Sequence, residues 1–191
     1  SLVLTISVII AAASCEHKEL CYYHPHVAPV RVNVDWRLFT MEEPTGMTAY
    51  AYPLHEDEND IYRFISHNIN YITLELEAGF FHTIVFNQSE SEYGTLEFSN
   101  LEDYNTAQVR VLQTKSNWYA TKAPDTKVGV EPEWLGVGRA ENIEVTEEMV
   151  KAAEEEYLAA HQDIMAPRAG RVINNVATTP PISVVKQVEF R

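Results

Sequence analysis

The chain has 191 residues, a formal net charge of −14, a hydrophobic share of 46% and two cysteines. That length and apolar content allow a packed core. So acidic a chain repels phosphates and anionic headgroups, which argues against nucleic-acid binding and against direct docking on anionic lipid. Two cysteines do not make a disulfide-stapled scaffold, so the fold must rest on its apolar core.

The first element runs from Leu2 to Ser14 and is apolar and uncharged. At about thirteen residues it is too short to span a bilayer, which takes roughly twenty. An apolar stretch that closes on small residues is the layout of a secretory signal. Here Ala12, Ala13 and Ser14 lead directly into Cys15, where the sequence turns polar. This resembles the lipobox of a bacterial lipoprotein. It predicts a signal peptide over 1–14, lipidation at Cys15 and a polar tether over 15–29, with the membrane reached through acyl chains. Cleavage after Ala11-Ala12-Ala13 also fits the small-x-small rule. It would leave Cys15 as a thiol, or paired with Cys21.

Beyond the tether the rhythm is period two. Val30, Val32, Val34 and Trp36 alternate with Arg31, Asn33 and Asp35, the pattern of a half-buried antiparallel strand. Pro44-Thr45-Gly46 is a turn, Met47 to Tyr52 a strand, and His55 to Asp60 a polar loop. Ile61–Ile65 and Tyr71–Leu76 read as strands, with Glu77-Ala78-Gly79 as a turn. Phe80–Phe86 is nearly continuous apolar sequence, which predicts a strand covered on both faces. Asn87–Gly94 is loop; Thr95–Phe98 and Ala107–Leu112 are short strands. Such strands, punctuated by Gly, Pro and Asn, predict a mainly β fold, an antiparallel β-sandwich over 30–118.

Residues 119–191 read as a second β segment or an incomplete domain. Tyr119–Gly129 is a long connection and Trp134–Gly138 is extended. A helix is predicted over about 147–162. Thr146 is its N-cap and Glu147 and Glu148 suit the positive end of its dipole. Met149, Val150, Ala153, Tyr157 and Ala160 form a weak apolar stripe, so this is one surface α-helix near the C-terminus. Ile182–Phe190 reads as a final strand.

Few residues suggest chemistry. Cys15, His17, Cys21, His24 and His26 crowd together, and His24-Pro25-His26 would hold a metal from one side of a strand. The spacing fits no familiar finger and a lipidated Cys15 is no thiolate, so a polar tether is preferred and no cofactor is expected. His55–Asp60 lacks the glycine and closing glutamate of a calcium loop. Glu154, Glu155 and Glu156 are adjacent and read as a wet helix face. His82 reads as a satisfied strand histidine. Asn87-Gln88-Ser89 is formally a glycosylation sequon. The sequence holds no Gly-x-Ser-x-Gly elbow, no Gly-x-Gly-x-x-Gly and no phosphate loop. A non-enzymatic protein is therefore expected. Tyr50, Tyr52, Trp118, Tyr119 and Trp134 invite a sugar-stacking platform, with Trp118 and Trp134 foremost, although aromatics also build β cores.

The series Cys15-Glu16-His17-Lys18, Val32-Asn33-Val34-Asp35-Trp36, Pro44-Thr45-Gly46-Met47, Leu76-Glu77-Ala78-Gly79-Phe80 and Ile84-Val85-Phe86-Asn87 resembles an uncharacterised lipoprotein family of Bacteroidetes, fimbrillin-like in style. The resemblance covers about Cys15 to Val145; the helix after Thr146 has no counterpart in it. It implies a transthyretin-like sandwich on an outer-membrane or cell-surface lipoprotein. It also implies other fimbrillin-like subunits as partners, through strand addition. Adhesion or a pilus-associated role is the expected function. The alternative is a glycan-binding lipoprotein of a polysaccharide uptake system.

Overall fold

A computed structural model describes residues 26–40, 42–54, 61–115, 127–129, 133–162 and 173–184. The signal peptide, Cys15, His24, the His55–Asp60 loop and Trp118 lie outside these residues.

Two sheets face each other. The smaller has the order β11 (Asn174–Thr179), β1 (Ala28–Val34), β4 (Tyr71–Leu76). The larger has the order β12 (Ile182–Ser183), β10 (Gly136–Val145), β5 (Gly79–Asn87), β2 (Met47–Pro53), β3 (Tyr62–Ser66). Two hairpins stand outside them: β6 (Leu96–Ser99) with β7 (Gln108–Val111), and β8 (Gln113–Lys115) with β9 (Lys127–Gly129). The fold is thus mainly β and sandwich-like, as the alternation predicts. All the ladders are antiparallel except β1 with β11, which runs parallel from Val30↔Asn174 to Val34↔Thr179. The expected boundary at 118/119 falls within these sheets, since β10 pairs with β5 and β11 with β1.

Period-two alternation decides the core. Val30, Val32 and Val34 of β1 and Ile72, Leu74 and Leu76 of β4 turn the same way. They meet Met47, Ala49 and Ala51 of β2, Phe81 and Val85 of β5, and Ile143 and Val145 of β10. Each fully buried aliphatic side chain contributes about 1.5–3 kcal/mol. α1 (Glu147–Gln162) closes one flank with Met149 and Val150, and Thr146 Oγ1 accepts the Met149 N–H at 3.3 Å as an N-cap. The helix has the predicted bounds and lies against β1.

β2 and β5 also bury their other face. Tyr50, Tyr52, Ile84 and Phe86 point away from the sandwich into a second apolar layer formed by Tyr93, Leu96, Phe98 and Tyr104. Coverage of β5 on both faces, expected for Phe80–Phe86, holds from Phe81 onward. Phe80 lies beyond the second layer and is 47% exposed.

Two differences from the sequence reading have physical causes. β10 continues past Gly138 to Val145, because a bulge breaks its alternation. β11 is polar, Asn-Asn-Val-Ala-Thr-Thr, and takes its order from the ladder with β1. Of the strand expected at 182–190, Ile182–Ser183 are in β12, and 185–191 lie outside the described residues.

Candidate functional site

The predicted residues that lie within the described ones, His26, Tyr50, Tyr52 and Trp134, do not form one site. His26 is exposed, and its Nδ1 pairs with Glu154 Oε1 of α1, tying the tether end to the helix. Among the described residues there is no group of three or more His, Cys, Asp or Glu able to hold a metal. Tyr50 and Tyr52 are not a stacking platform, as both are buried in the second layer. Tyr52 donates its hydroxyl to Leu101 O at 2.9 Å. Burial pushes its phenol up, with Tyr50 next in effect. Trp134 is half-buried, and its carbonyl accepts from Asn87 Nδ2 at 3.1 Å. Asn87 is itself buried, so the sequon is packed inside the fold.

The structure builds a concave site elsewhere, where the outer face of the large sheet emerges from under β6 and β7. The turn joining those strands forms one wall. Asn100 adopts φ 55°, a left-handed conformation that asparagine tolerates. Asp103 N–H bonds Asn100 O at 3.1 Å, and Asp103 Oδ1 accepts from Asn105 N–H at 2.8 Å. Thr106 Oγ1 donates to the second carboxylate oxygen at 2.9 Å. The Asn105 N–H, then the Thr106 hydroxyl, hold the Asp103 carboxyl below the usual range. This hydrogen-bonded turn fixes Tyr104 inward and leaves Glu102, Asp103 and Asn105 on the rim.

The floor comes from a bulge. Ala140 pairs with Thr83 and Ile143 with Phe81, so Glu141 and Asn142 both stand opposite His82. Asn142 has φ 56° and sends its N–H to His82 Nδ1 at 3.3 Å. The extra residue keeps Arg139 and Glu141 both beside Tyr104. Tyr104 donates to Glu141 Oε1 at 2.9 Å, and the Arg139 guanidinium carbon lies 5.0 Å from the ring centroid. The His82 and Tyr104 rings are 4.6 Å apart and tilted by 35°. Burial first, then the bond to Glu141, pushes the Tyr104 phenol up.

The opposite wall is apolar: Pro53, Leu54 and Ile61. The cleft measures about 450 Å³. Phe80 flanks it, two residues from His82 on the same face of β5, and its carbonyl accepts the Leu54 N–H at 2.9 Å. A smaller apolar space of about 120 Å³ lies under β6 and β7, lined by Phe86, Phe98, Leu135 and Val137 among others. The cleft offers hydrogen-bond donors and acceptors facing a hydrophobic surface, an arrangement for holding a small polar molecule by one apolar side.

Sequence reasoning placed His82 in the strand but missed its neighbours. Glu102, Asp103 and Asn105 carry a local signal only as a polar turn between two short strands.

A family model described as a domain of unknown function, DUF5119, matches residues 14–183, and the chain belongs to that family. The matched span contains α1, which the resemblance read from the sequence left outside. No curated protein matches the chain. A crystal structure of a "putative adhesin" from Bacteroides ovatus ATCC 8483 is similar at TM-score 0.55 and 15% identity, over 90% of this chain and 49% of that one. A structure of "putative polysaccharide binding proteins (DUF1812)" from Bacteroides thetaiotaomicron VPI-5482 gives TM-score 0.44 and 8% identity, over 82% of this chain and 47% of that one. The chain thus spans about half the length of each. The first likeness shows a shared fold.

Proposed function

We propose that this DUF5119 member is a non-enzymatic adhesion domain, displayed as a lipoprotein on the outer membrane or cell surface. The observation that carries the reading is the cleft, a preformed concave site whose walls are fixed by the bulge at Asn142 and the turn at Asp103. The sandwich shared with a protein named as a putative adhesin supports it. The apolar run ending at Cys15 supports the anchor. The edge strand β3 suits a pilus-associated role. Among the described strands it has β2 as its one ladder partner, which leaves its other side for strand addition by a fimbrillin-like subunit.

The test is adherence of bacterial cells expressing the whole chain or Cys15→Ala, with radiolabelled palmitate added to the culture. Wild-type protein takes up label and raises adherence to host-cell or matrix surfaces, and Cys15→Ala abolishes both. Label that survives the substitution refutes the anchor. Adherence equal to that of cells without the gene refutes the adhesion role.

A further inference from the structure

We propose that the cleft between the Glu102–Asn105 turn and the Leu54–Phe80 end of the large sheet binds a neutral saccharide. The inference rests on the adhesion reading and names the ligand class for it. At about 450 Å³ the cleft falls within the ~300–1,000 Å³ typical of small-molecule sites.

The chemistry of the lining selects among ligands. A sugar ring has an apolar C–H face and a rim of hydroxyls that both donate and accept. The cleft presents the complement of each. Leu54, 43% exposed, supplies an apolar surface beside Pro53 and Ile61. Glu102 and Asp103 supply acceptors, and the Asn105 amide supplies both kinds of group. His82 decides the matter. Its Nδ1 accepts the Asn142 N–H, which assigns the ring proton to Nε2 and gives the cleft that N–H as a donor. A cationic ligand would need acceptors alone and would gain nothing from this donor. A purely apolar ligand would strand the carboxylates away from water. A sulfated or uronic polymer would meet the chain's net charge of −14. A neutral, polyhydroxylated ligand uses every group.

The inner wall of the site is also braced before a ligand arrives. Tyr104, its inner wall, is held by Glu141, by Arg139, and by Tyr52 at a ring separation of 5.6 Å. Little ordering is left for binding to pay for. The sugar-binding alternative raised by the aromatic residues is assigned here to this cleft.

The test is calorimetric titration of the full chain, purified in detergent, with cello-, xylo-, manno-, malto- and chito-oligosaccharides. Heparin, polygalacturonate and hexalysine serve as charged comparators. At least one neutral series binds. Leu54→Ala and Asn105→Ala each weaken it by about tenfold or more, with unchanged melting temperatures because both side chains are exposed. Absence of binding across the neutral panel overturns the proposal. So does binding that ignores both substitutions, and so does hexalysine binding lost with them, which reassigns the cleft to a cationic partner. Cells that adhere through Leu54→Ala protein as well as through wild type sink the saccharide site and leave the adhesion role standing. Cells that never adhere sink the role itself.

Discussion

Asn87 tests the account of the core most directly. It ends β5, is 1% exposed, and uses its whole side-chain amide. Oδ1 accepts the Gly136 N–H at 2.7 Å and Nδ2 donates to Trp134 O at 3.1 Å. One side chain therefore fastens the end of β5 to the chain entering β10. Asn87→Leu keeps the approximate volume and removes both bonds, leaving a buried N–H and a carbonyl without these partners. Each such orphan costs about 1–3 kcal/mol, so the pair costs about 2–6 kcal/mol. In a domain of this size 1 kcal/mol moves the melting temperature by about 2–4 °C. A loss near the middle of the range, about 4 kcal/mol, lowers it by about 8–16 °C. Thermal unfolding followed by near-ultraviolet circular dichroism measures this, with Asn105→Leu on the exposed rim as the unaffected control. A drop for Asn87→Leu no larger than the control's would show that the amide is not satisfying buried groups, and the reasoning would fall.

Two further predictions follow from packing and burial. A Cβ on Gly138 would sit 2.5 Å from Thr179 Oγ1 and 3.1 Å from its methyl, and Thr179 is fully buried with that hydroxyl bonded to Arg139 O at 3.0 Å. Gly138→Ala therefore costs about 1–3 kcal/mol. Adding Thr179→Ala recovers part of it in urea unfolding; a neutral single variant refutes the contact. Burial pushes up the phenols of Tyr52, Tyr93 and Tyr104. The unfolded phenol, near pH 10, then ionises before the folded one. Stability is whole below about pH 10 and is lost as pH rises beyond it. The urea midpoint falls between pH 9.5 and 11, and absorbance at 295 nm shows part of the ten tyrosines ionising only on unfolding. A full tyrosinate signal from folded protein contradicts this.

Strands with strict alternation were legible in the sequence. Val30-Arg31-Val32-Asn33-Val34 faces core and solvent in turn, and the Thr146 cap set the helix start. β10 was half legible. Gly136 to Ala140 alternates, but the bulge places two residues opposite His82 and shifts the pattern before Ile143. β11 was illegible because its six residues carry little apolar signal of their own; position beside β1 makes them a strand. Tyr50 and Tyr52 misled, since an exposed aromatic pair and one covered by a distant hairpin look alike along a single strand. The cleft could not be read at all. His82 and the Glu102–Asn105 turn meet only because the β6–β7 connection folds back over β5, and no local spacing encodes that.

The pairing of β1 has a consequence for biogenesis. β1 leaves the ribosome well before one of its two neighbours, which begins at Asn174. Until that residue is made, β1 has an open side, and a chain truncated before it cannot complete the smaller sheet. Contacts so far apart in sequence form slowly. For an exported chain of the kind proposed, the delay keeps the polypeptide threadable while it crosses a membrane and defers locking until the last strands arrive.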